Sequence, residues 1–196
     1  KNPHINPLPS IPYSGSVSQF NKDFSLKIKM LTPLQEALTF DDVCLVPQFN
    51  NIPSRTIPNL ETWLTKDLKV GMPLIPSNMD SVICPDLAQV IVENDSIPIF
   101  HRFTPLENQL EWVKQFPKKC FVSCGVTTPF DDLTKLIENG ALGTCIDIAH
   151  GHSDTVLNLI KDLKKEFPES AVIAGNVCTP EAYHDLCVAG ADAVKV

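Results

Sequence analysis

Four polar residues stand where apolar runs stop. Asp147, His150 and His152 fall in Cys145-Ile-Asp-Ile-Ala-His-Gly-His-Ser153, and Asn176 falls in Val172-Ile-Ala-Gly-Asn-Val177. An ionised carboxylate accepts hydrogen bonds, and an amide both donates and accepts, so Asp147 and Asn176 suit recognition of hydroxyl and amide groups on a small ligand. An asparagine at this place also suits a simple turn. His150 and His152, two apart with Asp147 nearby, invite a metal reading, but the further Cys or carboxylate ligands of a zinc site are not found at recognisable spacing, and no metal is assigned.

The elements that must position these residues follow from the apolar runs themselves. A parallel strand covered on both faces is apolar along its length, so ligand-contacting groups surface only at its C-terminal end. The spacing predicts alternating units from Pro73 onward: strand 73–77 with helix 86–94, strand 97–101 with helix 106–116, strand 120–126 with helix 130–139, strand 142–148 with helix 154–167, strand 171–177 with helix 180–189, and a sixth strand from Ala193. Phe40 to Pro47 reads as a short strand, and Leu60 to Leu68 as a second small strand region that caps the bottom of the fold. Strands alternating with helices imply right-handed crossovers and a parallel sheet. The expectation is an α/β fold, a TIM (β/α)8 barrel of which about the first five to six βα units are present, the full barrel needing ~250 residues. A doubly wound sheet is the alternative. No strand is followed by a GxGxxG turn, however, and the polar residues collect at successive strand ends instead of at one switch point.

The chain divides into residues 1–30 and residues 31–196. Pro3, Pro7, Pro9 and Pro12 make the first part an extended arm, because proline neither propagates a helix nor pairs centrally in a sheet. The chain starts without Met, so residues upstream are expected. With 43% hydrophobic residues the remainder can bury a sizeable core, and no run resembles a membrane span. The formal charge of -7 and the lack of any Lys/Arg run beyond a pair argue against nucleic acid as a partner. A small anion could still be held by backbone N–H groups and local charge. The cysteines at 44, 84, 120, 124, 145, 178 and 187 form no CxxC pair and follow no secretory signal, so each is expected as a buried, reduced thiol of a cytoplasmic protein.

Six segments together carry a family resemblance: Leu38-Thr-Phe-Asp-Asp-Val43, Ser77-Asn-Met-Asp-Ser-Val82, Ile99-Phe-His-Arg-Phe103, the stretch Asp147 to Ser153, Gly175-Asn-Val177 and Gly190-Ala-Asp-Ala-Val-Lys-Val196. Each is short, but their order and spacing resemble the IMP dehydrogenase and GMP reductase family from about Leu31 to the last residue. The resemblance implies a TIM barrel acting on a purine nucleotide with a nicotinamide cofactor. Phe116-Pro-Lys-Lys-Cys120 joins helix to strand directly, where dehydrogenases usually insert a CBS module. Asn78 before Met79 and the Asp-Ile-Ala-His-Gly-His-Ser string are similar to the reductase branch, whereas Thr-Phe-Asp-Asp-Val is the common dehydrogenase form.

The resemblance also implies roles. Ser77 and Met79 match a loop beside the nucleotide base and ribose, with Met79 equally readable as core filling, and Asp80 reads as structural. Asp147, Ile148 and Ala149 match the segment that contacts the nicotinamide half of the cofactor, where a carboxylate accepts from ribose hydroxyls, and Asn176 matches cofactor or substrate amide recognition. Arg102 matches a basic position near the cofactor, suited to the 2'-phosphate that separates NADPH from NADH, and His101 is implied to face adenine. Ser54 and Arg55 match a loop reaching the cofactor of a neighbouring subunit, which implies a homo-oligomer, a tetramer in the family.

In the family the nucleophilic Cys follows the sixth strand, with an acid/base Thr and carbonyls for a monovalent cation (K+) alongside. It is expected just after Val196, and no catalytic residue is assigned within this chain. The expected activity is reduction of GMP with NADPH to IMP and ammonia, in which the Cys attacks purine C2, ammonia leaves and hydride arrives from the nicotinamide. Two alternatives stand beside it: NAD-dependent oxidation of IMP to XMP, and a truncated form that binds nucleotides or assembles without catalysis.

Overall fold

A computed structural model of the chain describes residues 38–39 and 41–196. The arm at 1–30, the stretch up to residue 37 and Phe40 lie outside the described residues. The described residues up to Ile52 belong to one unit and Pro53–Val196 to another. In the first, Asp42 Oδ2 accepts from the Thr39 backbone N–H at 2.7 Å and is bonded to its hydroxyl at 3.0 Å, closing a turn. The strand expected at 40–47 is not formed over the described residues 41–47, which are exposed and join no sheet.

The second unit holds two sheets. Strands β1 (Thr62–Thr65) and β2 (Leu68–Val70) form an antiparallel hairpin whose register slips between Trp63 and Thr65. Five parallel strands follow, each preceded or followed by a helix: β3 (Ile99–Phe100), β4 (Phe121–Cys124), β5 (Gly143–Asp147), β6 (Ala171–Gly175) and β7 (Ala193–Lys195). The helices are α1 (Pro85–Glu93), α2 (Leu106–Gln115), α3 (Phe130–Glu138), α4 (Asp154–Glu166) and α5 (Pro180–Ala189). Strand order equals sequence order, β3-β4-β5-β6-β7, with no reversal among the described strands.

The alternation along the strands assigns their two faces. Cys124, Ile146, Val172 and Ala174 pack with Leu133 and Ile137 of α3, Val156, Ile160 and Leu163 of α4, and Ala182 and Leu186 of α5. Val122 joins a second cluster with Phe100, Val113 and Leu136. In α4 the buried positions recur at the three- and four-residue spacing that gives a helix one apolar stripe. Its first turn carries Asp154 and its last turn Lys164 and Lys165, both favourable to the helix dipole. Helix α5 starts with Pro180 at its first position, and the Thr179 hydroxyl accepts from the Ala182 N–H at 3.2 Å.

The opposite face is apolar low and polar high. Phe121, Cys145 and Ile173 are buried there against Leu64 and Leu68 of the hairpin. Period-two alternation places Ser123, Asp147, Gly175 and Lys195 on that same face toward the C-terminal ends.

The expected strand 73–77 is also absent. Pro73 and Pro76 have no N–H to give a ladder, and the segment runs as irregular chain. Three cysteines, 120, 124 and 145, are buried as expected. Cys44, Cys84, Cys178 and Cys187 are exposed instead, because Cys84 precedes α1, Cys178 follows β6 in a loop, and Cys187 lies on the outward side of α5.

Candidate functional site

The site is built on one row of the sheet. Asp147 pairs in register with Gly175, and Gly175 with Lys195, so three strand ends stand side by side. Asp147 and Lys195 share a face with only a hydrogen between them, and Lys195 Nζ donates to Asp147 Oδ1 at 2.7 Å. A Cβ on Gly175 would lie 2.5 Å from the Lys195 carbonyl oxygen and 2.8 Å from its Cβ, so that gap requires glycine.

Asn78 completes the cluster from the loop before α1. Its Nδ2 donates to Ser123 Oγ at 2.7 Å and to Asp147 Oδ2 at 2.9 Å, and its Oδ1 accepts from Lys195 Nζ at 3.1 Å. Burial raises the Asp147 carboxyl. The hydrogen bonds from Lys195 and Asn78, the Lys195 charge and a last contribution from Asn176 outweigh that effect and hold the group below the ordinary carboxylate value. The site therefore presents a carboxylate that stays ionised.

Beside it, the next strand end is locked by backbone bonds. Ile148 N–H donates to the Gly175 carbonyl at 3.2 Å, Asn176 N–H to the Ile148 carbonyl at 2.8 Å, and Gly151 N–H to the Asn176 carbonyl at 2.8 Å. The Asn176 Oδ1 is buried and has no hydrogen-bond partner. A buried acceptor without a donor costs free energy, and a ligand N–H or O–H would satisfy it. Ala149 and His150 are exposed on the same loop, and His152 Nε2 meets Asp185 Oδ2 of α5 at 2.9 Å, tying the loop to that helix.

A second region lies at the ends of β3 and β4. Arg102 is exposed, its guanidinium 4.6 Å above the Phe103 ring and close enough to Gly125 that a Cβ there would stand 3.3 Å from Cζ. It lines a cavity of about 250 Å³ together with Thr104, Gln109, Thr127, Thr128 and Asp132. Thr128 Oγ1 accepts from the Gly125 N–H at 3.0 Å, which shapes the loop. A guanidinium with several hydroxyls around it can bind a phosphate.

The remaining expected residues are placed separately. His101 is buried, packs edge-on to Trp112 at 5.2 Å, and accepts from the Phe103 N–H through Nδ1 at 3.1 Å. Its ring sits in the core, whereas Arg102 beside it faces solvent. Ser77 is exposed and Met79 is 52% exposed, so Met79 is not core filling. The two are joined by a Met79 N–H to Ser77 carbonyl bond of 2.8 Å. Ser54 and Arg55 are exposed, and Ser54 Oγ lies 2.9 Å from Thr56 Oγ1.

From the sequence Lys195 enters only within the segment Gly190 to Val196, Ser123 only within an apolar strand, and Asn78 only as a mark of one family branch. Lys195 carried the same signal as Asp147, a charged residue closing an apolar strand. Ser123 and the threonines at 127 and 128 carried no distinctive pattern.

Comparison with known proteins shows the family. The profile of the IMP dehydrogenase / GMP reductase domain matches residues 37–196. The chain is 39% identical over 168 residues to a GMP reductase of Staphylococcus epidermidis, covering 80% of this chain and 50% of that protein. It is 36% identical over 172 residues to a GMP reductase of Lactobacillus delbrueckii subsp. bulgaricus, with 82% and 50% covered. A GMP reductase of Bacillus cereus is 34% identical over 169 residues, with 83% and 51% covered. The chain thus spans about half the length of the curated relatives it matches.

Proposed function

We propose, from the premise that this chain belongs to the IMP dehydrogenase / GMP reductase family, that it forms part of a GMP reductase using NADPH to convert GMP to IMP and ammonia. The observation that carries the proposal is the pairing of an ionised Asp147 with the unpartnered, buried Oδ1 of Asn176 at adjacent strand ends. One offers a charged acceptor to ribose hydroxyls, and the other a neutral acceptor to a carboxamide N–H, so the residues fit the nicotinamide half of the cofactor. Arg102, with Thr127 and Thr128, would hold its 2'-phosphate end. When bound, NADPH supplies the hydride.

The chain's own residues bind and orient. Asp147, fixed on both oxygens by Asn78 and Lys195, cannot swing away from a ligand. Ser77 and Met79 offer a hydroxyl and a polarisable thioether on an exposed loop suited to a purine nucleotide. The buried thiols at 120, 124 and 145 are pushed up to about 12 by burial above all, which leaves them protonated and unsuited to nucleophilic attack. The nucleophile is therefore assigned to none of them.

We further propose that the five parallel strands belong to a TIM (β/α)8 barrel, supported by their unreversed order. Ser54 and Arg55, exposed and close in sequence, suit contact with a cofactor on a neighbouring copy in a homo-oligomer, a tetramer by resemblance. No helix among the described residues is long and apolar enough to cross a membrane. A cytoplasmic setting is proposed on the same resemblance.

The test is the absorbance of reduced nicotinamide in the native gene product supplied with GMP and NADPH, or with IMP and NAD. Loss of NADPH with GMP supports the reductase. Formation of NADH from IMP replaces it with the dehydrogenase.

A further inference from the structure

We infer that Asn78 is a positioning residue for Asp147, linking the loop that carries Ser77 and Met79 to the strand end that grips the cofactor. The inference rests on the proposed reading of Asp147 as a cofactor ligand. Asn78 is 5% exposed although it sits in an irregular loop, and its amide makes bonds to three other elements: Ser123 on β4, Asp147 on β5 and Lys195 on β7.

The chemistry of its partners fixes which way the amide points. Lys195 only donates, so it must meet Oδ1; an ionised Asp147 only accepts, so it must meet the amide nitrogen. Turning the amide over would place N–H against ammonium and oxygen against carboxylate. The two hydrogens on Nδ2 are divided between Ser123 and Asp147, so both are used. No other side chain of this size offers one acceptor and two donors in a plane, apart from the longer glutamine.

For Asp147 the arrangement has two results. Oδ1 is held by a cation and Oδ2 by a neutral donor, so both oxygens are anchored, and the carboxylate keeps acceptor capacity for a ligand hydroxyl. A carboxylate pinned at two points loses little rotamer freedom on binding, which favours affinity. The loop itself is pinned too: Val82 and Ile83 N–H groups both donate to the Met79 carbonyl at 3.0 Å, and Ile83 is buried in the core. Asn78 therefore reaches Asp147 from a loop that is anchored by bonds of its own, and holds the carboxylate from that side.

Asn78→Asp keeps the side-chain shape and the acceptor for Lys195 but removes the donor to Asp147. In the native full-length protein this variant is expected to weaken equilibrium NADPH binding about tenfold, the scale of losing one charge-assisted hydrogen bond. The KM for NADPH is expected to rise by a similar factor, with kcat and the KM for GMP changed less than about twofold. A merely structural role would move both ligands and lower the melting temperature instead. Ser123→Ala, which leaves the Asn78–Asp147 bond in place, serves as a second variant with an expected loss of about threefold, and decides the matter if Asn78→Asp does not fold. Wild-type protein that does not bind NADPH overturns the cofactor reading and this inference with it. Wild-type protein that binds NADPH, with variants that bind it equally well, overturns the inference alone.

Discussion

Asp147 and Lys195 are two strands apart, yet their charged ends meet at 2.7 Å directly over Gly175. Neighbouring strands lie about 4.8 Å apart, so the two backbones are separated by roughly twice that distance. The long lysine side chain spans the gap, and the glycine leaves it clear.

Lys195→Met is expected to reduce stability at neutral pH by roughly 1–3 kcal/mol, between the worth of an exposed pair and the cost of breaking a buried one. Asp147 is held below its ordinary value, so its pairing adds stability that is present above about pH 3.9 and lost as pH falls through the lowered value. The gap between wild type and variant should accordingly close in acid. Urea unfolding across pH reads this, and a gap that stays constant into strong acid would contradict it.

Gly175→Ala is expected to cost about 1–3 kcal/mol through overpacking, because its Cβ meets backbone that cannot rotate away. It should also part β6 from β7 and weaken NADPH binding, since the ion pair spans that joint. A thermal melt with a parallel binding titration checks both effects.

Cys44, Cys84, Cys178 and Cys187 should alkylate with iodoacetamide well before Cys120, Cys124 and Cys145. The first four are exposed, while burial pushes the last three up to about 12. Mass spectrometry of peptides from the native protein should show two classes, merging into one in denaturant. Early labelling of Cys145 would mean that the sheet opens at β5.

Arg102→Ala should weaken NADPH about tenfold or more while leaving NADH nearly unchanged, as removing the guanidinium affects only a cofactor with the 2'-phosphate. Competitive titration with the two cofactors measures the difference. Equal losses would assign Arg102 to the loop's shape through Phe103 and Gly125.

The strand ends were readable because an apolar run that stops in a polar residue has a cause: Asp147 and Asn176 were found this way. Helices α2 to α5 were readable from their apolar stripes, and their observed bounds differ from the expected ones by at most one residue. Asn78 was harder. It sits between Pro76 and Met79 in chain with no period, and its partners are 45, 69 and 117 residues away. No local pattern encodes such a meeting. Apolar content is necessary for a buried strand at 73–77 but does not supply the N–H groups that Pro73 and Pro76 lack. His101, implied by resemblance to face adenine, is buried while Arg102 is exposed, because successive residues leaving a strand point opposite ways.

The unreversed strand order has a consequence for how the molecule is made. Each strand of the parallel sheet pairs with the one synthesised just before it, so the sheet can lengthen by one βα unit at a time as the ribosome delivers it. The polar cluster obeys a different schedule, because Asn78 waits for Lys195, 117 residues later. A nascent chain can thus acquire its layers while the hydrogen-bonded cluster around Asp147 is still open, and that cluster closes only with the docking of β7.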